Sequence, residues 1–168
     1  DRSSAASDVY KRQAINTPYG VFFAPNITPD GTHGIGNWTD NQFYRAMREG
    51  LSPNGSNYFP VFPYTSYTNM TDVDLHALKT YIFTLKPVGR PNRVHKLSFP
   101  FNLRILQFFW KLLYFKQGPY KFNAARTLEW NRGAYLSRAV AHCGECHTPR
   151  NIFGGLDYRA WFTAVSYT

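Results

Sequence analysis

Cysteine is almost missing from this chain: 168 residues contain two, Cys143 and Cys146. A pair separated by two residues closes a strained disulfide, so a disulfide scaffold is excluded. Methionine is equally scarce, with only Met47 and Met70. Acidic residues are few, 10 against 19 Lys and Arg, leaving a formal charge of +9. Such a balance suits nucleic acid, an anionic membrane surface or an acidic protein partner. The basic residues are scattered and no nucleic-acid motif is present, so no nucleic-acid partner is expected. Long apolar runs are absent as well. The most apolar stretch, Phe101 to Phe115, is short and broken by Arg104, Gln107 and Lys111, which argues against a membrane span. No signal peptide is visible, and its absence carries no information. Aromatic residues, by contrast, make up 18% of the chain, a composition suited to wrapping a large flat apolar cofactor.

The two cysteines stand in Cys143-Gly144-Glu145-Cys146-His147. In a C-x-x-C-H run both thiols add to the vinyl groups of a porphyrin, and the histidine becomes the proximal iron ligand. The spacing lets one turn of backbone present both sulfurs to one porphyrin edge while the imidazole points at the metal. A thioredoxin-like pair needs a strand before it and a helix after it, and no βαβ pattern surrounds this one. A zinc site drawn from His142, Cys143, Cys146 and His147 would crowd all its ligands into six residues, without a second pair from a distant segment. Covalently held haem c with its iron is therefore the expected cofactor.

Both ends carry a different signal. Ser3-Ser4-Ala5-Ala6-Ser7-Asp8-Val9-Tyr10-Lys11-Arg12-Gln13 resembles the in-frame translation of a transposase adapter used in DNA sequencing. Val165-Ser166-Tyr167-Thr168 resembles the reverse complement of the adapter's end. Residues 1–13 and 165–168 are expected to be adapter-derived tails, and the part between them a window of a longer protein.

Residues 17–37, punctuated by Pro18, Gly20, Pro25, Pro29, Gly31, Gly34 and Gly36, read as loop rather than helix or sheet. Their Tyr19, Val21, Phe22, Phe23 and Ile27 are too apolar for a solvated linker, and a haem face is a natural packing partner. Thr39-Asp40-Asn41-Gln42 forms a capping box opening a helix with Phe43, Ala46 and Met47 on one face and Gly50 as its stop. A loop is expected over 51–69. Thr71 caps a second helix, with Asp72 and Asp74 in its first turn, Leu75, Leu78, Ile82 and Leu85 as a core stripe, and Pro87 as terminator. Residues 87–100, with Pro87, Pro91 and Pro100, read as linker. Phe101–Phe115 reads as an interfacial or partner-docking helix, since Arg104 and Lys111 lie seven apart on one face, or as a helix packed between two small domains. A third helix starts at Thr127 and runs through Trp130, Tyr135 and Val140 into the cysteine motif. Within it Gly133 costs about 1 kcal/mol against alanine, which a closely crossing helix would justify.

Three runs carry a family resemblance. One is Thr17-Pro18-Tyr19-Gly20 through Pro25-Asn26-Ile27-Thr28-Pro29-Asp30 to Gly34-Ile35-Gly36-Asn37-Trp38-Thr39-Asp40, and another is Tyr58-Phe59-Pro60-Val61-Phe62-Pro63-Tyr64-Thr65-Ser66-Tyr67. The third is Trp130-Asn131-Arg132-Gly133-Ala134-Tyr135-Leu136 with His142 through Asn151. Together they resemble the multihaem cytochrome c subunits of membrane-bound alcohol and gluconate dehydrogenases, over essentially all of 17–157.

The resemblance implies an all-α fold of tandem cytochrome c-like domains, both truncated. Residues 14–88 would be the C-terminal part of one domain and 127–164 the N-terminal part of the next. Residues 89–126 would form a linker with the apolar helical segment. It implies Cys143 and Cys146 as covalent haem attachments and His147 as proximal iron ligand. For the first domain's haem it implies a distal methionine, which many relatives carry just before the Pro-Tyr of the aromatic run. This chain has Phe62 there. Met47 lies on an apolar helix face and reads as core. Met70, in a loop directly before a helix, is the expected distal ligand; the alternative is a five-coordinate haem closed by Phe62. His33, His76 and His95 read as ordinary surface or core histidines.

The function so implied is electron transfer from a dehydrogenase catalytic subunit through haem to a quinone or oxidase. The implied location is the bacterial periplasm, associated with the inner membrane and its surface. A catalytic haem protein, thiosulfate dehydrogenase-like or peroxidase-like, is the alternative, and the sixth iron ligand discriminates between the two.

Overall fold

The computed structural model describes residues 14–163, so both expected adapter tails lie outside the described residues. The chain is mostly helical, with one small antiparallel sheet of order β1-β2-β3 that an all-α expectation does not contain. The strands are β1 (Ala14–Thr17), β2 (Gly20–Phe23) and β3 (Lys96–Leu97). Residues 17–37 are thus not all loop. Thr17 pairs with Gly20 across a two-residue turn, and Gly20 sits at φ 127°, a conformation closed to residues with a Cβ. Val21, Phe22 and Phe23 then continue as strand, which suits branched and aromatic side chains, and Phe22 and Phe23 are buried. The stretch 87–100 likewise supplies β3, which pairs Leu97 with Gly20.

Beyond the hairpin, the Pro-Asn-Ile-Thr-Pro-Asp run is a clamp. The Asn26 side-chain amide donates to Val88 O at 2.7 Å, and fully buried Thr28 accepts from Val88 N at 3.1 Å. This loop therefore ties the start of the described chain to the segment that follows the helix capped by Thr71.

Helix α1 (Asp40–Glu49) begins at the Thr39/Gln42 capping box and stops at Gly50 in the left-handed region, as its local signals predict. Phe43, Ala46 and Met47 are buried. The expected loop 51–69 contains one turn of helix, α2 (Tyr64–Tyr67). Helix α3 (Asp72–Phe83) is capped by Thr71 and buries Leu75 and Ile82, ending four residues before Pro87. Helix α4 (Ile105–Tyr114) occupies the apolar stretch. Helix α5 (Leu128–Tyr135) is capped by Thr127 and passes without a break into a π-helical turn, Leu136–Val140. The cysteine motif forms a last short turn, α6 (Gly144–His147). No helix among the described residues is long and apolar enough to cross a membrane.

A core cluster joins Ile35, Phe43, Met47, Met70, Leu75, Ile82, Tyr135 and Ala139, so side chains from both 14–88 and 127–163 meet in it. Tyr135 locks the two parts: its hydroxyl donates to Asp74 and accepts from Thr71 N at 3.1 Å. The phenol's hydrogen bond holds the Asp74 carboxyl below its usual range, and burial together with that bond raises the Tyr135 phenol. Among the described residues nothing lies within 4 Å of a Cβ added at Gly133, so no described helix crosses there.

Lys111 of α4 reaches back to the end of α1. Its ammonium donates to Glu49 O at 2.6 Å, Gly50 O at 2.8 Å and Asn57 Oδ1 at 2.7 Å, capping carbonyls that the helix leaves unpaired. Burial pushes its pKa down to about 8. Between pH 8 and about 10.5 the folded chain has released a proton that the unfolded chain still holds, so stability rises with pH over that window. Urea melts at pH 8, 9 and 10 should show this rise, and Lys111→Met should flatten it relative to the parent.

Candidate haem site

The segment carrying the motif is positioned by polar contacts that leave its chemistry free. Buried Asn131 on α5 accepts from Tyr120 Oη at 3.0 Å and Asn123 N at 2.7 Å, and donates to Thr127 O at 2.9 Å. The π turn widens the helix just before the motif, a deviation that tends to mark functional sites. His142 then takes φ 44°, and Cys143 N donates to Ser137 O at 2.9 Å. These bends end one helix and start the next within three residues. The ring of His142 meets Tyr67 edge-on at 5.6 Å.

In α6 the backbone N–H groups of Cys146 and His147 both donate to Cys143 O, at 3.2 and 3.0 Å. Cys143 and Cys146 are therefore one turn apart on the same side, and His147 follows directly. Both thiols are free, Cys143 half-buried and Cys146 and His147 exposed. Among the described residues none of the three side chains is hydrogen-bonded or ion-paired. Nor do three His, Cys, Asp or Glu side chains converge on a metal-sized point. These residues fit a covalent haem: two accessible nucleophilic sulfurs in one register, followed by an imidazole with both nitrogens uncommitted.

The two residues between the cysteines do structural work that the motif alone did not reveal. Gly144 is buried under the Trp161 ring, and an added Cβ would lie 2.6 Å from that ring. Glu145 is turned inward, with its side chain 9% exposed. One carboxylate oxygen accepts from Thr65 Oγ1 and from Ser66 Oγ at 2.9 Å; the other accepts from Arg150 at 2.6 Å. Its hydroxyl partners lie 79 and 80 residues away on α2, so no local pattern could have announced them. Burial and the Glu145 charge together raise the Tyr64 and Tyr67 phenols above their ordinary value, Tyr64 by the larger amount. Removing the carboxylate leaves the buried Thr65 and Ser66 hydroxyls without that acceptor, at a cost of about 1–3 kcal/mol, while the exposed Arg150 can turn to water. Glu145→Ala should lower the urea midpoint accordingly; Glu145→Gln, which can still accept from the hydroxyls, should lose less.

Met70 stands where the sequence places it, in the loop directly before α3, and is buried in the core at 4% exposure. Its carbonyl accepts from Arg48 at 2.8 Å. It lines a cavity of about 300 Å³ together with Leu78, Arg132, Tyr135, Leu136 and Val140, so α5 and the π turn form one wall and Met70 part of another. Met47 is buried in the same cluster. Phe62 packs against this core from its edge, touching Tyr58 and Tyr67 at ring distances of 5.6 and 5.8 Å. His95 is half-buried between Phe22 and Phe59 and accepts from Phe23 N at 3.2 Å, a structural role. Burial lowers its pKa.

No protein-family model matches the chain. Curated relatives do. The chain is 46% identical over 141 residues to the fructose dehydrogenase cytochrome subunit of Gluconobacter japonicus, covering 83% of this chain and 29% of that protein. It is 45% identical over 150 residues to a diheme cytochrome c-type protein of Cereibacter sphaeroides, covering 89% and 50%. A nicotinate dehydrogenase subunit of Pseudomonas putida matches at 43% over 141 residues, covering 84% and 12%. Cytochrome c subunits of alcohol and gluconate dehydrogenases match at 34–39%. The chain thus spans half or less of the length of each relative. A histidine-terminated turn with two free thiols, on a chain similar over most of its length to such proteins, defines a c-type cytochrome. Within that class, the chain belongs to the family of cytochrome c subunits of dehydrogenases.

Proposed function

We propose that this chain is part of an electron-transfer subunit that receives electrons from a dehydrogenase catalytic subunit and passes them through haem towards a quinone or oxidase. The observation that carries the reading is the α6 turn, where two free thiols and an uncommitted imidazole share one accessible helical turn. Bound haem c supplies a reversible one-electron couple at its iron. The chain's own residues do the rest. Cys143 and Cys146 tether the group, His147 ligates the metal, and Gly144 and Glu145 hold the turn against Trp161 and α2. Covalent attachment keeps the group from dissociating as its charge state changes.

In the same reading, residues 14–88 close one cytochrome c domain and 127–164 open the next, with 89–126 between them. The diheme relative supports this division. Met70 is the distal ligand of the first domain's haem; its place in a loop directly before α3 supports the assignment. The location is the bacterial periplasm at the inner membrane, where covalent haem attachment takes place and where dehydrogenase partners would meet their acceptors.

The test is maturation of the chain by a c-type haem attachment system, followed by haem staining of a denaturing gel and intact mass measurement. One haem per chain is expected. A zinc-bound, haem-free product under those conditions would overturn the reading.

A further inference from the structure

Helix α4 is inverted relative to an ordinary surface helix. Ile105, Phe108, Phe109, Leu112 and Leu113 fall on one side, and all five are 52–75% exposed. The opposite side carries the polar groups, and those face the protein. Lys111 caps α1, and Arg104, at the helix start, donates to Asn57 O at 2.9 Å and lies over the Phe59 ring. The two cations seven residues apart do share a face, as the sequence suggests, but it is the inner one. They act as struts that hold the apolar side outward.

The patch extends past the helix. Trp110 Nε1 donates to Phe153 O at 2.8 Å, which seats the exposed Ile152-Phe153 turn beside α4. Tyr19 packs its ring at a tilt against Phe101, centroids 4.7 Å apart, and donates to Ile152 O at 3.3 Å, joining exposed Phe101 to the same surface. An apolar surface of this extent marks an interaction site.

Its chemistry selects the occupant. The outward side of α4 presents no hydrogen-bonding side chain, whereas protein interfaces carry about one hydrogen bond per 100–200 Å². Along the chain on either side of α4 the charge has one sign: no Asp or Glu occurs between Asp74 and Glu129, while Lys86, Arg93, Lys96, Lys116 and Lys121 are all exposed. An apolar helix face set in an exclusively basic stretch matches the interface of an anionic bilayer, in which the helix lies flat instead of crossing. We propose that the outward face of α4, with the Ile152-Phe153 turn, docks this protein on the surface of an anionic lipid bilayer. The proposal rests on the membrane-side location given above and names the surface responsible for it.

The test is co-sedimentation of the 168-residue chain with vesicles of phosphatidylglycerol and phosphatidylethanolamine, against vesicles of phosphatidylcholine. Binding is expected to the anionic vesicles and to weaken as salt rises from about 0.05 to about 0.5 M. Phe109→Gln/Leu112→Gln should weaken it about tenfold or more, with the melting temperature unchanged because both side chains are already exposed. Ile105→Gln/Leu113→Gln, on the same face, should reproduce the loss. Absence of binding, equal binding by the variants, or equal binding to phosphatidylcholine overturns the proposal. So does a parent dimer that the variants split while neither binds vesicles, since the face would then be a protein interface. Haem staining of the same chains separates the two readings. Failed vesicle binding with haem attached counts against this face alone, and vesicle binding without haem counts against the cytochrome alone.

Discussion

The Cys143→Ser/Cys146→Ser chain, matured beside the parent sequence, should show no haem stain on a denaturing gel and the mass of the bare polypeptide. Each sulfur in the parent forms one bond that survives denaturation, so removing both leaves only coordination by His147, which denaturant breaks. Cys146→Ala alone should lower the stain, because only the Cys143 thioether then remains to hold the group through denaturation. The folding cost should stay within about 0.5 kcal/mol, since neither sulfur is buried or hydrogen-bonded in the chain. A loss of haem therefore cannot be mistaken for a loss of fold. Full staining of the doubly substituted chain would remove the central claim about this site.

In the whole parent protein, Met70→Ala is expected to act twice. Met70 and Met47 are buried to a similar degree in one cluster, so truncating either should cost about 2–5 kcal/mol of stability. Stability therefore cannot tell a ligand from a core residue here, and spectroscopy must. If Met70 is the distal ligand, its loss replaces a thioether, which favours ferrous iron, by water, which favours ferric iron. The potential of the first haem should fall, and that haem should begin to bind carbon monoxide. Met47→Ala should leave both properties unchanged. A native protein that already binds carbon monoxide at the first haem, with Met70→Ala changing nothing, would favour a five-coordinate iron closed by Phe62.

The contrast between Glu145 and its neighbours shows how far the chain order could be followed. Cys143, Cys146 and His147 were legible because their function depends on spacing within one turn. Glu145 sits among them, yet what it does depends on Thr65 and Ser66, brought to it by the path of the intervening chain. The same distinction separates Gly50 from Gly144. Gly50 is announced by the helix it ends, while Gly144 answers to Trp161, whose approach no local signal encodes. Gly133 gives the converse lesson. Its cost in a helix was visible, but no described residue supplies the compensating contact.

Interactions that reach no further than about one helical turn could be read directly from the order of residues. They include the caps at Thr39, Thr71 and Thr127, the stop at Gly50, the buried stripes of α1 and α3, and the turn that sets Cys143, Cys146 and His147 in one register. Such features arise because backbone hydrogen bonds and caps close within three or four positions. Three matters depended on how distant segments meet. The hairpin at 14–23 needed β3 from 96–97 as its third strand. The core joined Met70 and Leu75 to Tyr135 and Ala139. Lys111 and Arg104 turned inward to carbonyls near residues 49–57, which left the apolar side of α4 facing out. In each case a side chain's periodicity says which residues share a face, but only the position of the remaining chain says which way that face looks.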